Sequence, residues 1–156
     1  MPPVIGGGSA PGAPAGVMLR GGSGRDSLWG MAGDDRLVGG PGADSLHGGA
    51  GADTFVFAGR RDSVATANGR DTVFDFSRPE GDRIDLAALD ADATSRGNQT
   101  FTWIGSHGFH EHAGELRAAR VSGGVLVSGD TDGDGVADFA IRLKGVAAML
   151  EGDFVL

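Results

Sequence analysis

Four aspartates recur at intervals of nine residues in the first third of the chain: Asp26, Asp35, Asp44 and Asp53. Each lies in a nine-residue unit whose first and fourth positions are glycine and whose eighth position is a large apolar residue. The second position is glycine in every unit except one, where Met31 replaces it. Carboxylates at a fixed interval, beside glycines that let backbone carbonyls converge, are the oxygen donors that Ca²⁺ prefers. The pattern therefore indicates a row of calcium sites.

The units themselves occupy residues 21–29, 30–38, 39–47 and 48–56. Each is too short for a helix, but its single apolar residue at the eighth position suits a strand of two or three residues with one side chain pointing inward. Two units make one full coil of a parallel β-roll, so that alternate units stack on the same edge. Because stacked strands lie about 4.8 Å apart, the aspartates form two columns at roughly that separation.

Such columns are unfavourable without a cation. Two bare carboxylates at this distance repel each other by about 3–4 kcal/mol at an effective dielectric constant of about 20, and ordering the glycine-rich backbone costs about 1–2 kcal/mol per residue. We therefore predict Ca²⁺ sites between Asp26 and Asp44 and between Asp35 and Asp53. A flexible glycine linker is the alternative, but linkers do not hold aspartate and leucine in phase through four units. Backbone ligands are predicted from the turns, at Gly21, Gly22, Gly24, Gly33, Gly39, Gly40, Gly42, Gly48, Gly49 and Gly51.

The phase extends weakly beyond these units. In residues 57–65 Asp62 and Val64 occupy the sixth and eighth positions without the glycines, and Leu19 holds the eighth position before the first unit. We expect degenerate capping turns at both ends of the roll, as repeat arrays need.

A second acidic motif, D-x-D-x-D-G-x-x-D, is formed by Asp130, Asp132, Asp134 and Asp138. Alternate carboxylates followed by glycine resemble the opening of an EF-type calcium loop, but Ile141 replaces the bidentate acid at position twelve. We predict a calcium-clamped loop between two strands, with a carbonyl ligand from Val136. An acidic, solvated turn is the alternative.

Transition-metal binding and catalysis have weaker support. His107, His110 and His112 surround Glu111, but they do not form a zinc signature, and solvated loop histidines are the simpler interpretation. The chain has no cysteine and neither the G-x-S-x-G nor the H-E-x-x-H motif. We therefore expect a protein without enzymatic activity.

Composition limits the partners. The chain has 156 residues, 30 of them glycine, and a formal net charge of −8. This acidity argues against nucleic acid and anionic membrane surfaces, and no basic or aromatic stripe is visible in the sequence. No apolar run is long enough to cross a membrane, and residues 1–16 lack the features of a secretory signal peptide. Without cysteine, metal ions rather than disulfides are expected to stabilise the fold.

Three regions follow from these patterns: a Pro/Gly-rich arm over residues 1–18, the β-roll over residues 19–65 and an antiparallel β-sandwich over residues 66–156. The fold class is thus all-β. Strands of the sandwich are predicted at residues 72–76, 83–86, 100–104, 115–121, 125–128, 139–143 and 154–156, with a helical turn at residues 146–150.

Several segments resemble the C-terminal domain of serralysin-type secreted metalloproteases: residues 51–57, 71–76, 81–86, 101–105, 114–117, 129–139 and 153–156. The resemblance spans about residues 19–156 and implies an RTX β-roll followed by a β-sandwich, several bound Ca²⁺ ions and a C-terminal type I secretion signal. It also implies a weaker calcium-binding role for Asp62 and Asp71. In that family a catalytic zinc domain precedes the module, so proteolysis is not transferred to this chain. Similar modules end mannuronan C5-epimerases and lipases.

We therefore expect a secreted, non-catalytic module that folds on binding calcium outside the cell. Its partners would be the type I secretion machinery and an N-terminal catalytic domain, with no nucleic acid and no membrane insertion. The predicted export signal is an exposed acidic-then-apolar tail made of Asp153, Phe154, Val155 and Leu156; an edge strand of the sandwich is an interpretation compatible with it. The alternatives are a substrate- or partner-binding module of another exported enzyme, and an enzyme with a site at the histidines.

Overall fold

The computed structural model describes residues 16–156 and the backbone of residues 4–5. Most of the predicted N-terminal arm lies outside the described residues. The regular secondary structure of the described chain is β-strand, apart from two single-turn 3₁₀ helices, Arg78–Glu80 and Glu151–Asp153. Its strands are β1 Val4–Ile5, β2 Met18–Arg20, β3 Ser27–Ala32, β4 Arg36–Val38, β5 Ser45–Ala50, β6 Thr54–Val56, β7 Asp71–Val73, β8 Arg83–Asp85, β9 Thr102–Trp103, β10 Glu115–Val121, β11 Gly124–Asp130, β12 Phe139–Lys144 and β13 Phe154–Val155.

These strands form two packed sheets, of eight strands in the order β1-β3-β5-β7-β12-β11-β10-β9 and of five strands in the order β13-β8-β6-β4-β2. The repeat strands alternate between the two sheets, as the two-unit coil predicts. This confirms an all-β fold that contains a parallel β-roll.

The C-terminal half extends these same two sheets. β12 pairs in parallel with β7, and β13 pairs in parallel with β8. Among the named strands, antiparallel pairing occurs in the β10–β11–β12 meander, whereas β9 is parallel to its neighbour β10. The predicted antiparallel sandwich is therefore antiparallel in this meander, whereas the other pairings of its strands are parallel. The edges of the last roll strands, β7 and β8, are thus paired with β12 and β13. This pairing leaves no row of unpaired backbone N–H and C=O groups on those edges.

Inward-pointing side chains stack in register along the roll. Leu28 lies opposite Leu46 in one sheet, while Leu19, Leu37 and Phe55 follow one another in the other sheet. All five are buried in one continuous core. The prediction that Leu19 continues the pattern before the first unit is confirmed.

The expected fifth unit at residues 57–65 is wrong. In the coil after Leu46, the paired residue is Val73. The aspartate that follows Asp44 in the column is therefore Asp71, 27 residues later, whereas Asp26 and Asp44 are 18 residues apart. Asp62 and Val64 lie in the intervening loop. This segment lacks the glycines that the tight turns need, so the chain leaves the coil and returns at the next D-x-apolar sequence, Asp71–Val73.

Most of the predicted C-terminal strands are present. The strands predicted at residues 115–121 and 125–128 form the β10–β11 hairpin, whose turn is Ser122–Gly123 because Gly124 already pairs with Val121. The predicted helical turn at residues 146–150 is wrong, because that segment is irregular and a 3₁₀ turn begins only at Glu151.

One repeat residue is strained. Met31, which replaces a glycine, has φ of 82° and is 48% exposed. A left-handed conformation destabilises a non-glycine residue by about 1–2 kcal/mol. Glycine adopts it freely, but a glycine in a strand lowers the stability of the folded protein by about 0.5–1 kcal/mol, because the unfolded chain gains conformational freedom.

We therefore expect Met31→Gly to raise the thermal midpoint of the calcium-loaded protein. The control Ala32→Gly, at the next position of the same strand without a positive φ, should lower it. Equal losses in both variants would contradict the assignment of strain to Met31.

Candidate calcium sites

The repeat aspartates form two columns along opposite edges of the roll. In each column the backbone N–H of one aspartate donates a hydrogen bond to Oδ1 of the aspartate in the next coil. The first column contains Asp26, Asp44 and Asp71, with N–Oδ1 distances of 2.8 and 2.8 Å. The second contains Asp35, Asp53 and Asp82, with distances of 2.9 and 2.9 Å.

In every column aspartate except Asp82, at least one carboxylate oxygen has no partner. Among the described residues, hydrogen bonds are missing for buried oxygens of Asp26 (Oδ1 and Oδ2), Asp35 (Oδ2), Asp44 (Oδ2), Asp53 (Oδ2) and Asp71 (Oδ2). A buried carboxylate without a partner is destabilising by several kcal/mol. Oxygens that point inward without a donor are the positions at which a hard cation is bound.

Glycines leave the space that such an ion needs. A Cβ placed on Gly30 would lie 2.3 Å from Asp35 Oδ2 and 2.4 Å from the carbonyl oxygen of Gly48 in the next coil. At Gly21 the same construction gives 2.7 Å both to Asp26 Oδ2 and to the Gly39 carbonyl oxygen. Carboxylate and carbonyl oxygens therefore approach one point from two sides, and this donor set fits Ca²⁺.

Without a cation, the columns favour protonated carboxyls. Burial, reinforced by neighbouring carboxylates and opposed by the backbone hydrogen bonds, raises the pKa of Asp44 to about 6, that of Asp53 to about 7 and that of Asp71 to about 9. The pKa of Asp82 is also raised by burial. The protein alone therefore does not stabilise the ionised form of these carboxyls.

Asp82 was missed by the sequence analysis. It ends the second column, and its Oδ2 accepts a hydrogen bond from the Ser77 N–H at 2.8 Å, so both of its oxygens have partners in the protein. The signal that could have found it is the sequence Asp82-Arg83-Ile84, which repeats the D-x-apolar half of each unit. The spacing concealed it, because the step from Asp53 is 29 residues.

The two weaker candidates differ. Asp71 occupies a column position and is fully buried. Asp62 lies beside the column, where it raises the pKa of both Asp44 and Asp71. Its Oδ2 accepts the N–H groups of Ala58 and Gly59, each at 2.9 Å. It closes its own loop and is not stacked with the repeat aspartates.

The second acidic motif lies in the loop between β11 and β12, as predicted. Carboxylate oxygens of Asp130, Asp132 and Asp138 lie within 4.8 Å of one another. Asp134 is outside this group; its Oδ1 accepts the Val136 N–H at 2.8 Å. Buried Asp130 already accepts N–H groups of the loop on both oxygens, so this site lacks the unpaired oxygens of the roll. Calcium binding here stays a prediction.

The histidines do not converge. His110 pairs with Glu115 through an Nδ1–Oε1 distance of 2.7 Å, and His107 Nδ1 lies 2.8 Å from the Ile104 carbonyl oxygen. In the part of the chain that the structure describes, no histidine belongs to a group of three converging metal ligands. The same residues contain no helix long and apolar enough to span a membrane.

The outer face of the eight-stranded sheet carries an aromatic and basic stripe that the sequence analysis did not find. The Trp29 and His47 rings stack with centroids 3.7 Å apart, His47 and Phe74 with centroids 4.6 Å apart, and Lys144 Nζ lies 5.3 Å from the Phe74 centroid. The next outward row places Arg142 beside Thr72. The outward positions of β3, β5, β7 and β12 carry no carboxylate. The residues of the stripe are distant in sequence, and only the sheet brings them together.

The profile of the RTX calcium-binding nonapeptide repeat, in four copies, matches residues 20–55. Residues 20–55 are therefore RTX calcium-binding repeats. Such repeats bind calcium, and the modules that contain them are typically non-catalytic and extracellular. A search of curated protein sequences gives no match.

Two solved structures are similar over most of the chain, and both are subunits of a mannuronan C5-epimerase from Azotobacter vinelandii. The AlgE6R2 subunit is 28% identical, with 99% of this chain and 92% of that chain covered and a TM-score of 0.61. The AlgE6R3 subunit is 31% identical, with 92% and 80% covered and a TM-score of 0.56. These similarities support the RTX β-roll fold, whereas the specific resemblance to the serralysin C-terminal domain stays a prediction.

The space beside the unpaired oxygens predicts how the methyl group of an alanine in place of a repeat glycine would affect calcium affinity. Gly30→Ala should weaken calcium binding at least tenfold, because the new Cβ would occupy the point where Asp35 Oδ2 and the Gly48 carbonyl converge. Gly108→Ala is the matched control, since its Cβ meets nothing within 4 Å. Isothermal titration with Ca²⁺ measures both variants. An unchanged Ca²⁺ affinity in Gly30→Ala would show that Ca²⁺ does not bind at the point between Asp35 Oδ2 and the Gly48 carbonyl.

The raised carboxyl pKa values predict how pH affects the calcium-free protein. The folded state retains protons on Asp44 and Asp53 at pH values where the unfolded chain, with pKa values near 3.8, has lost them. Stability should therefore fall as the pH rises from about 4 to about 7. Urea unfolding in calcium-free buffer measures this trend. A rise in stability over the same range would be inconsistent with these buried carboxyls.

Proposed function

We propose that the chain is a non-catalytic module that folds on binding calcium outside the cell and carries a type I secretion signal at its C-terminus. The observation that supports this proposal is the set of buried, unpaired carboxylate oxygens along the two columns. A compact roll with these oxygens ionised is unfavourable, so its folding is linked to the cation that binds them.

The free energy of calcium binding is large enough to decide whether the chain folds. Extracellular calcium modules bind their ions with dissociation constants of about 10⁻⁴ to 10⁻³ M. A site at about 100 times its dissociation constant contributes roughly 2.7 kcal/mol of stability. Several such sites would match the whole stability of a small domain, which is about 5–15 kcal/mol. In the cytoplasm, where free Ca²⁺ is scarce, the chain would stay unfolded and suitable for threading through an exporter.

The folding proposal is tested by circular dichroism with millimolar Ca²⁺ and with a chelator. We expect strand signal only with Ca²⁺. Asp44→Asn, which changes charge but little volume, should shift the folding midpoint to higher Ca²⁺, whereas the exposed control Glu151→Gln should not. A calcium-free chain with the full strand signal at neutral pH would refute the proposal.

The export proposal is tested separately. The module is fused behind a reporter in a bacterial strain with a type I exporter. Loss of residues 153–156 should abolish reporter in the medium and leave its cellular level unchanged. Export of the shortened chain at the full level would refute a signal in this segment.

A second candidate function is binding of an anionic polymer substrate by the outer face of the eight-stranded sheet. Its support is the stripe of Trp29, His47, Phe74, Lys144 and Arg142, which is basic and aromatic in a chain of net charge −8. The basic groups of Lys144 and Arg142 are complementary to acidic sugars, although Asp75 lies close enough to interact with His47. The similar subunits belong to an enzyme named for mannuronan, an acidic polysaccharide.

This candidate is tested by titrating the calcium-loaded protein with mannuronan and with a neutral glucan. We expect salt-sensitive binding of mannuronan alone, weakened at least tenfold by Arg142→Gln with Lys144→Gln. Arg96→Gln, an exposed arginine in a loop, is the control. Binding that is equal in all variants would place the polymer elsewhere, and no binding would remove the candidate.

A further inference from the structure

One turn of the chain contacts both an aspartate column and the C-terminus. Residues 77–82 contain a 3₁₀ helix, Arg78–Glu80, and end at Asp82. On one side Asp82 accepts the N–H of Asp53 and that of Ser77, at 2.9 and 2.8 Å. The turn is therefore fixed to the end of the second column.

On its other side the same turn holds the last residues of the chain. Arg78 Nε and Nη2 donate to the two carboxylate oxygens of Asp153, each at 2.6 Å, and Nη2 also donates to the Ala148 carbonyl at 2.9 Å. Asp153 is 3% exposed. Its carboxylate also accepts the Leu150 N–H at 2.7 Å, and the bonds from Arg78 and Leu150 outweigh burial and lower its pKa. A bidentate pair with one buried partner is among the stronger side-chain interactions.

Docking of the last strand depends on the strand that follows this turn. β13 pairs in parallel with β8, which begins directly after Asp82. The Leu86 N–H donates to the Val155 carbonyl at 2.9 Å, and Phe154 is buried against Trp103 with ring centroids 5.1 Å apart. The expected exposed tail is thus wrong for Asp153 and Phe154, which are buried, whereas Val155 is 37% exposed. The alternative interpretation, an edge strand, is confirmed, since β13 lies at one end of its sheet.

We propose that the turn at residues 77–82 makes accessibility of the C-terminus dependent on calcium. Ion binding between Asp35 and Asp53 orders the second column, and the bond from the Asp53 N–H to Asp82 passes this order to Asp82 and β8; Arg78 then clamps Asp153, and the last strand docks. In the calcium-free chain the C-terminal residues are free for a protein that recognises a terminal apolar strand, and in the loaded chain they are covered. This inference rests on the calcium-dependent folding proposed above, and it would make the export signal readable only before folding.

The first test is trimming by a serine carboxypeptidase, followed by mass spectrometry of the intact chain. Wild-type protein should lose Leu156 and Val155 at least tenfold more slowly with Ca²⁺ than with chelator. Arg78→Gln should be trimmed rapidly even with Ca²⁺, while circular dichroism shows the roll folded. The control Arg36→Gln breaks an exposed ion pair with Asp85 in the same sheet and should be protected like the wild type.

The outcomes separate the two proposals. If Ca²⁺ does not change the circular dichroism, calcium-dependent folding fails. If Ca²⁺ folds the roll but Arg78→Gln stays protected, or the wild type is protected equally with chelator, only the clamp is overturned. Should Arg78→Gln not fold, amide exchange of the wild type decides: protection of Leu86 and of Asp53 must appear at the same Ca²⁺ concentration, and protection of Leu86 without Ca²⁺ refutes the coupling.

Discussion

The fold depends on one electrostatic constraint: carboxylates are stacked every second unit and buried with one oxygen unpaired. In Asp44 and Asp53, one carboxylate oxygen accepts an N–H from the preceding coil, and this bond sets the spacing between rungs. The other is directed into a glycine-lined space that also receives a carbonyl. A roll of this kind cannot be compact, ionised and free of cations at once, because burying unpaired charge costs more than the short apolar rungs return. This constraint is the physical basis of the proposal that folding is coupled to metal binding.

The two columns end differently, and the difference organises the rest of the molecule. The first ends at Asp71, whose N–H donates to the buried Ser63 hydroxyl at 2.7 Å, and Ser63 in turn is bonded to the backbone of β12 at Ala140. The second ends at Asp82 on a turn that holds the C-terminal residues through Arg78. Each column is thus joined to a different part of the C-terminal half. The cap is built on the last rungs of the roll, which gives a physical reason for treating roll and cap as one folding unit.

Negative and positive side chains lie in different parts of this acidic protein. Carboxylates are gathered at the turns and along the columns, while the strands of the eight-stranded sheet present Trp29, His47, Phe74, Lys144 and Arg142 outward. A net charge of −8 therefore describes the whole chain and not this surface. The choice of partner depends on this local distribution as well as on the net charge.

The sequence alone determined the repeat: the nine-residue phase of glycine, aspartate and leucine allows only a coil with stacked carboxylates, so the roll, its register from Leu19 to Phe55 and its preference for calcium could be predicted. It also contained the β10–β11 hairpin, since a Ser-Gly turn between alternating strands is a local signal. Only the tertiary structure decided what lies beyond the strict spacing. Asp71 and Asp82 join the columns after insertions of irregular length, and Arg78 meets Asp153 across the fold, as Trp29 meets His47. Such contacts are fixed by which sheet edge a later strand pairs with, and that choice depends on non-local packing that no local pattern encodes.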